Sequence, residues 1–367
     1  MNRMILANLV HRPIRAIISI FAVAVEVTLI LLIVGIMLGM LNDSSSRQAG
    51  VGADILVQPP GASLFMGISG APVSEKVADK IRSLPHVTAV APVVATLSTA
   101  GNVQVIDGID LQSFEAVGGP LNYLSGGTFQ GPYSMIVDDL EAASKHRKVG
   151  DKVEVLNHEF TVTGIVEHGR GARQFVPIRT LQDIVGAQGK ASIFYVKLDN
   201  PNNADEVVKE IKDIPGMSQY GVHSVKEYLS LMTSSGVPGL NTVIRVVIGI
   251  AMIIGFIVIF QAMYAAVMER TREIGILKSL GAGKLYIVGA IVRETLLIAI
   301  GGVILGIAIS FAAKSALKAH FQTLPLMITS AWLLRATVIA IIGSLLGALY
   351  PALKAAQKDP IDALAYE

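Results

Sequence analysis

Few residues of this 367-residue chain have the types and spacing that catalysis or metal binding requires. The seven histidines are scattered along the sequence, and no H-E-x-x-H or comparable metal-binding pattern is present. The chain has no cysteine, which excludes disulfides, iron–sulfur clusters and thiolate zinc sites. We therefore expect a protein that is not an enzyme and that binds no metal or cofactor of its own.

A glycine-rich turn, Gly281-Ala282-Gly283-Lys284, looks like part of a phosphate-binding loop. A P-loop of the form G-x4-G-K-[ST] would need glycine at position 278 and serine or threonine at position 285. The chain has Lys278 and Leu285 there. The turn is better explained as a helix break with a basic residue, and we expect the chain not to bind and hydrolyse ATP alone.

Charged residues also cluster further upstream in the chain. Asp138, Asp139 and Glu141 form an acidic group, and a basic group at Lys145–Lys148 follows closely. We interpret both groups as the solvated face of a short helix.

Two polar residues, Glu26 and Gln261, lie inside long apolar stretches. A charged side chain at the centre of a bilayer costs at least about 2.5–3.5 kcal/mol on insertion scales, so it usually faces other helices. Two explanations stay open for Glu26: a proton or substrate contact in a translocation path, or a structural contact with Thr28 or with another span. Gln261 is interpreted in the same way, as an intramembrane polar contact.

The segment Glu269–Ala282, ERTREIGILKSLGA, is dense in charge and lies between two apolar runs. Ile274 and Leu277 recur at helical spacing, whereas charged residues cover the other faces. Such a helix can insert into a groove on a soluble partner or lie on anionic lipid. Its two acidic residues favour the partner, and Gly281 ends the helix.

The apolar stretches around these residues define a membrane protein. Hydrophobic residues make up 52% of the chain and charged residues only 16%, against about 25% in soluble domains. A membrane-spanning helix needs roughly 20 apolar residues. Four predicted spans satisfy or approach this length: Ile14–Leu41, Val243–Val267, Ile287–Phe311 and Trp332–Leu349. The first is too long for the apolar core of a signal peptide, so we expect an uncleaved anchor.

The distribution of lysine and arginine near the span ends predicts the orientation, because cytoplasmic loops are enriched in both. With four spans, three basic groups fall on one side: Arg3, Arg12 and Arg15; Arg270, Arg272, Lys278, Lys284 and Arg293; and Lys354 and Lys358. We therefore expect both termini in the cytoplasm and residues 42–241 outside. A net charge of +2 is too small to indicate a nucleic-acid partner.

The segment 42–241 is predicted to fold as an α+β domain of two lobes between the first and second spans. Strands are expected at Ala53–Gln58 and Val87–Val94, and a helix at Ser74–Ser83 with Ser74 as its N-cap. A β-rich lobe at about 108–181, with a hairpin turn near Leu156–Asn157, is inserted into the rest. The predicted divisions are thus 1–41, 42–241 and 242–367, the last containing a short helix at about 269–281.

Two small-residue patterns occur in the later spans, Gly301-Gly302-x3-Gly306 and Gly343-x3-Gly347. Small residues let membrane helices approach closely. Packing between spans of one chain and a seam between two copies both remain open.

Two segments together resemble a known family. Glu269–Ala282 is similar to the R-x-R-E-I-G-I-L-K/R-A-L-G-A signature of MacB-type ABC transporter permeases, a group that includes LolC, LolE and, more distantly, FtsX. The C-terminus from Tyr350-Pro351-Ala352 to Glu367 resembles the ending Y-P-A-x-x-A-A-x-x-D-P-x-x-A-L-R-Y-E, with Ala365 in place of the usual arginine. Gly52-Ala53-Asp54 and Val87–Val94 are similar to the first strands of the family's exported domain.

The resemblance implies a permease subunit that couples ATP hydrolysis to movement of its exported domain, for export or extraction of a substrate. Two permease copies in the membrane lipid of the bacterial inner membrane, as a homodimer or as a homologous pair, would hold two ABC ATPase subunits that bind ATP and Mg²⁺. Since no nucleotide-binding domain precedes Arg3, the ATPase is expected to be a separate chain. A periplasmic adaptor and an outer-membrane channel would join where the cell has two membranes, and the substrate stays open.

The family's ATPase contacts fall on six positions of this chain: Glu269, Arg270, Glu273, Ile274, Leu277 and Lys278. The alternative function is that of an FtsX-like regulator, which activates a cell-wall hydrolase outside the cell.

Overall fold

The computed structural model describes residues 13–62, 71–98, 104–233, 235–237 and 239–358. They divide into two compact units, a helical unit (up to 37, 241–317 and from 326) and a sheet unit (38–240 and 318–325). Arg3 and Arg12, on which the predicted orientation partly rests, and the tail Asp359–Glu367 lie outside the described residues. The predicted division of the chain at residues 41 and 241 stays a prediction.

Helices and strands alternate through the sheet unit and give way to long helices in the helical unit. The helices are α1 (Pro13–Gly50), α2 (Lys76–Arg82), α3 (Leu111–Gly118), α4 (Asp139–Ser144), α5 (Ile178–Ile184), α6 (Ala204–Asp213), α7 (Val225–Leu231), α8 (Leu240–Glu269), α9 (Thr271–Ser279), α10 (Lys284–His320) and α11 (Ser330–Gln357). The strands are β1 (Ile55–Gln58), β2 (Val73–Ser74), β3 (Val87–Ser98), β4 (Gln104–Ile109), β5 (Tyr123–Gly126), β6 (Ser134–Asp138), β7 (Lys152–Val155), β8 (His158–Val166), β9 (Gln174–Pro177), β10 (Lys190–Ala191), β11 (Ile193–Leu198) and β12 (Gly221–Ser224).

Within the described residues, four helices are long and apolar enough to cross a membrane: α1, α8, α10 and α11. The predicted fold class, four such helices with an α+β domain between the first and second, is confirmed. The helices run beyond the apolar stretches that predicted them. For example, α10 covers 37 residues, because Lys314 and Lys318 continue the helix past its apolar part.

The glycines of α10 pack directly against α1. A Cβ added to Gly302 would lie 2.5 Å from the Cβ of Val23, and one added to Gly306 would lie 2.6 Å from the carbonyl oxygen of Ala24. Such contacts allow two backbones to approach where lipid provides no hydrophobic drive for association. Packing within one chain therefore accounts for this small-residue pattern.

The second small-residue pattern also packs within the helical unit. A Cβ on Gly347 of α11 would lie 2.8 Å from the carbonyl oxygen of Phe256 in α8. Gly343, one turn earlier, faces Met252 of α8 and Glu26 of α1. Neither pattern is left over for a seam between copies.

Gly306→Ala is expected to destabilise the helical unit, because the new methyl group meets the fixed backbone of α1. Overpacking of this kind typically costs about 1–3 kcal/mol. The matched control is Gly289→Ala on the same helix, where an added Cβ meets nothing within 4 Å. Thermal unfolding of the full chain in detergent should show a lower midpoint for the first variant only; equal midpoints for both would contradict this packing.

One mixed sheet organises the sheet unit. Its strand order is β12-β1-β11-β3-β4-β9-β6-β8-β5, with β7 added beside β8. The pairs β4–β9 and β6–β8 are parallel, and the other pairs in this sheet are antiparallel. The first strand, β1, lies between the last two, β11 and β12.

Two apolar cores lie on one face of this sheet, and the division into two lobes with an inserted segment at about 108–181 stays a prediction. One core, under α2 and α6, includes Ile81 and Val207; the other, under α4 and α5, includes Phe160 and Leu181. A third core, around Phe114, covers the opposite face. Strand register explains the division, since alternate residues of a strand face opposite sides.

The predicted hairpin is confirmed. Strands β7 and β8 pair antiparallel from Val155–His158 outward. The turn residues Leu156 and Asn157 have φ of +51° and +61°, the positive values that a tight two-residue hairpin turn requires.

Two predictions in this unit are wrong. Ser74 lies in β2, and Glu75 occupies the N-cap of α2 without a side-chain capping bond. Glu141 is fully buried rather than solvated: its carboxylate pairs with Lys145 at 3.1 Å and with Arg147 at 3.2 Å. An ionised carboxylate that is buried needs such partners to offset the loss of its hydration.

Asp107 is a second buried carboxylate, and its surroundings differ. Its side chain lies in β4, 3% exposed, and Oδ2 accepts a hydrogen bond of 3.1 Å from the backbone N–H of Ala172. Burial raises its pKa to about 7; the bond from Ala172 and the charge of Arg47 oppose the rise only in part.

This raised pKa makes the stability of the sheet unit depend on pH. The folded state holds the Asp107 proton up to about pH 7, whereas the unfolded chain releases it near 3.8. Stability is therefore lost as the pH rises through this interval. Asp107→Asn has no proton to lose and should be more stable above pH 7, by up to about 4 kcal/mol.

The measurement is the thermal midpoint of both proteins at pH 5 and pH 8. The advantage of Asp107→Asn should be larger at pH 8. An advantage of equal size at both values, or none, would show that burial does not penalise this carboxylate.

Candidate functional site

Helix α9 covers most of the charge-dense segment Glu269–Ala282 and begins and ends where its sequence requires. Glu273 lies in its first turn and Lys278 in its last, charges that oppose the helix dipole at each end. After the helix, Gly281 has φ of +92°, a conformation that favours glycine. The chain then turns into α10 at Lys284.

One face of α9 is packed against the ends of the long helices. Ile274 and Leu277 lie against a core formed by Val267, Ile287, Ala355 and Ala356. Thr271, which is buried, donates hydrogen bonds to the carbonyl oxygens of Val267 and Met268. Three long helices, α8, α10 and α11, thus support this face.

An ion pair holds the start of α9. The Nη1 atom of Arg270 lies 3.1 Å from Oε2 of Glu294 in α10, and both side chains are largely buried, at 14% and 12% exposed. The sequence analysis did not single out Glu294. Its signal was available, since Glu294 is an acidic residue inside the third apolar run.

A lysine holds the other end of α9. The ammonium group of Lys278 donates to the carbonyl oxygen of Ala356 at 3.0 Å and to that of Lys358. These carbonyls belong to the last turn of α11 and the residue after it, where no intrahelical donor remains. The ammonium group of Lys278 is therefore bound within this chain, at the end of α11.

The predicted contact residues divide into two groups. Glu269 and Glu273 are exposed, whereas the other four are partly buried within the chain: Arg270, Ile274, Leu277 and Lys278. Their assignment to an ATPase interface stays a prediction.

Two leucines that the sequence analysis did not assign to the interface are the most exposed large apolar residues near α9. Leu280 is 80% exposed and Leu285 is 88% exposed, one on each side of the glycine turn; Ile276 on α9 is 43% exposed. We call Ile276, Leu280 and Leu285 the apolar tip. The sequence signal was a leucine on each side of a Gly-Ala-Gly turn, where polar residues are usual.

A small groove of about 70 Å³ lies between α9 and the adjoining ends of α8 and α10. Its walls come from α8, α9 and α10 and include Met263, Leu277 and Ile291, with Arg270, Glu273 and Glu294 as the charged members. Its lining is mostly apolar with few polar groups, which is typical of surfaces that receive a side chain from a partner.

The two polar residues within the spans have different surroundings. Gln261 lies on the exposed surface of α8. Glu26 is buried, and among the described residues both of its carboxylate oxygens lack a hydrogen-bond partner. The suggested contact with Thr28 is wrong, because Thr28 donates to the carbonyl oxygens of Ala24 and Gly306. Gly255 makes room for Glu26, since an added Cβ would lie 1.9 Å from Oε2.

Comparison with known families decides what kind of protein carries these units. Residues 16–214 match the model of the MacB-like periplasmic core domain, and residues 245–360 match the FtsX-like permease C-terminal model. The chain belongs to the MacB-type ABC transporter permeases. It is therefore a membrane protein with an extracytoplasmic domain.

Relatives of this MacB-type permease are named as ABC transporter permeases or as MacB proteins. It is 25% identical to the uncharacterized ABC transporter permease YknZ of Bacillus subtilis (59% of this chain, 55% of the relative). It is also 25% identical to the macrolide export ATP-binding/permease protein MacB of Shewanella sp. (80% and 48%). The chain thus spans about half the length of the relatives it matches.

Solved structures show similarity of the sheet unit only at low identity. The extracellular domain of YknZ, a noncanonic ABC-type transporter from Gram-positive bacteria, matches 47% of this chain and 99% of its own, at 17% identity and a TM-score of 0.36. The periplasmic region of MacB from Actinobacillus actinomycetemcomitans matches 48% and 92%, at 17% identity and a TM-score of 0.38.

Glu294→Gln should destabilise the helical unit, because the guanidinium of Arg270 would lose its carboxylate partner in a largely buried position. We expect a loss of about 2–3 kcal/mol, since an unpaired buried charge is costly. The matched control is Glu273→Gln, an exposed glutamate on α9.

Thermal unfolding followed by circular dichroism measures the difference. The double variant Arg270→Glu with Glu294→Arg restores an ion pair and should be more stable than either of its single variants. If Glu294→Gln unfolded at the same temperature as the parent, the ion pair would not hold α9.

Proposed function

We propose that this chain is the transmembrane permease subunit of an ABC transporter, and that it binds an ABC ATPase through the apolar tip beside α9. ATP and Mg²⁺ are bound by the ATPase, and this chain contributes no catalytic residue. ATP hydrolysis moves the long helices and, through them, the extracytoplasmic domain, which exports or extracts a substrate.

The exposure of the apolar tip carries the proposal. A large apolar side chain left in water forgoes the free energy that burial would supply, and Leu280 and Leu285 expose 80% and 88% of their surface. Exposed Glu269 and Glu273 accompany the tip. Acidic residues are repelled by anionic lipid headgroups, which favours a protein partner over the membrane surface.

Contacts on the other side of α9 explain how a movement of the ATPase would be transmitted to the long helices. Arg270 is paired with α10, Lys278 is bonded to the end of α11, and Ile274 packs on the core at the end of α8. Movement of α9 would therefore carry these helices with it. In the proposed assembly, two copies of the permease hold two ATPases, with both termini and α9 on the cytoplasmic side.

Leu280→Glu and Leu285→Glu should each weaken association with a co-expressed ABC ATPase by about tenfold or more, since an interface core excludes charge. The matched control is Leu124→Glu in β5, a leucine that is 57% exposed in the sheet unit. The measurement is the amount of ATPase that co-purifies with the full chain in nanodiscs, together with its ATP hydrolysis rate.

A photo-crosslinking amino acid at position 280 distinguishes the two sources of contact. The proposal expects a crosslinked protein that contains a P-loop sequence. Crosslinks to lipid alone, with unchanged co-purification of both variants, would overturn the assigned role.

A further inference from the structure

A cavity of about 300 Å³ with a mixed apolar and polar lining lies in the sheet unit. Part of its wall is apolar: Met40, Leu97, Val105, Ile193 and Pro325. The rest is strongly polar and includes Asp43, Arg47, Asp107 and Arg173. Such a mixture, in a volume within the range of small-molecule sites, is typical of pockets that orient an amphipathic ligand.

The cations of the cavity are already bound by other groups. Arg47 donates through Nε to Asp43 at 3.0 Å and through Nη1 to the carbonyl oxygen of Gly171 at 2.6 Å. Arg173 donates to Asp43 and to Asp138, each at 3.0 Å. Both guanidinium groups are therefore held in place by this chain.

Asp107, in contrast, is a carboxylate of the cavity with which neither Arg47 nor Arg173 forms an ion pair. It is 97% buried and lines the cavity, and its one hydrogen bond among the described residues is from Ala172 N–H to Oδ2. Within the described part of the chain, no lysine or arginine lies at ion-pairing distance from it. Arg47 and Arg173 are paired with Asp43 and Asp138, so within the described residues an ionised Asp107 has no ion-pair partner of its own.

The kinds of cation that could pair with Asp107 can be narrowed. Mg²⁺ and Ca²⁺ require six or more oxygen ligands, and no cluster of three metal-ligating side chains occurs in the described residues. The oxygens of Asp43 are already bonded to Arg47 and Arg173. One organic cation with N–H donors would satisfy Asp107 and place its apolar part against Met40 and Ile193.

We propose that this cavity binds an amphipathic organic monocation, an amine with an apolar body, and that Asp107 is the residue that recognises its positive charge. The ionised carboxylate in the middle of β4 lowers the stability of the empty fold. A residue that opposes stability in this way is typical of a functional site. The proposal concerns ligand binding by the sheet unit and does not depend on the proposed contact between the tip and an ATPase.

Dansylcadaverine serves as the probe, because it joins a primary ammonium to an apolar fluorophore that brightens when water is excluded. Titration is carried out with the full chain in nanodiscs at pH 8, where the amine is charged and most Asp107 is ionised. We expect saturable binding by the parent and binding about ten- to hundredfold weaker by Asp107→Asn, as is usual when a charged hydrogen bond is lost.

Three controls make the experiment decisive. Asp110→Asn removes the same charge at an exposed N-cap, which asparagine also fills, and should bind as the parent does. Leu280→Glu should also bind normally, so failure of the ATPase proposal stays separate. The N-acetylated probe, which lacks the charge, should bind weakly to every variant.

A second measurement needs no variant at Asp107. Hexylamine should displace the probe from the parent protein, and hexanol should not. The proposal is overturned by equal binding of the charged and acetylated probes, by unchanged binding in Asp107→Asn, by equal competition from amine and alcohol, or by the absence of saturable binding to the parent.

Discussion

Charge at the two ends of α9 fixes the position of this short helix, and the arrangement of the chain around it depends on that constraint. Arg270 ties its start to α10, and Lys278 ties its end to the last carbonyls of α11. The pair of Arg270 with Glu294 is largely removed from water and the contact of Lys278 is partly so, and electrostatic interactions are stronger there than at an exposed surface. Neither partner can separate without leaving a buried charge or unsatisfied carbonyls. The helix is consequently one body with the ends of the spans.

The last part of α1 uses the same principle inside the sheet unit. Arg47 and Asp43 of α1 are bonded to Gly171 and Arg173, and Gln48 accepts a hydrogen bond of 2.6 Å from the hydroxyl of Tyr195. Directional bonds of this kind fix a register that apolar contacts alone would allow to slide. The units therefore use polar joints where helices meet their supports, and apolar cores elsewhere. Asp107 lines the same cavity as Asp43, Arg47 and Arg173. Its charge therefore affects both the stability of the sheet unit and the proposed binding of a cation.

Local pattern in the sequence predicted much of this architecture. The four spans, the hairpin at Leu156 and most strand positions follow from apolar length, alternation and turn chemistry. What could not be predicted depends on contacts distant in sequence. Glu141 looked solvated because two of its partners, Gln104 and Gln174, lie on β4 and β9, far from it in sequence. Lys278 looked available to a partner, since nothing local shows that α11 ends beside it. The exposure of Leu280 and Leu285 likewise depends on how the glycine turn leaves the helix.

The place of β1 between β12 and β11, one strand in from the edge of the sheet, has a consequence for how the domain matures. This strand follows α1 directly, yet its two neighbours, β11 and β12, are the last strands of the unit to be made. Pairing across such sequence separations is slow, because loop closure must come before any contact is gained. During secretion through the membrane, β1 would emerge with both edges unpaired and remain so until more than a hundred further residues have followed. Unpaired strand edges are prone to aggregation. Since β1 is only four residues long, the edge that waits for its partners is short.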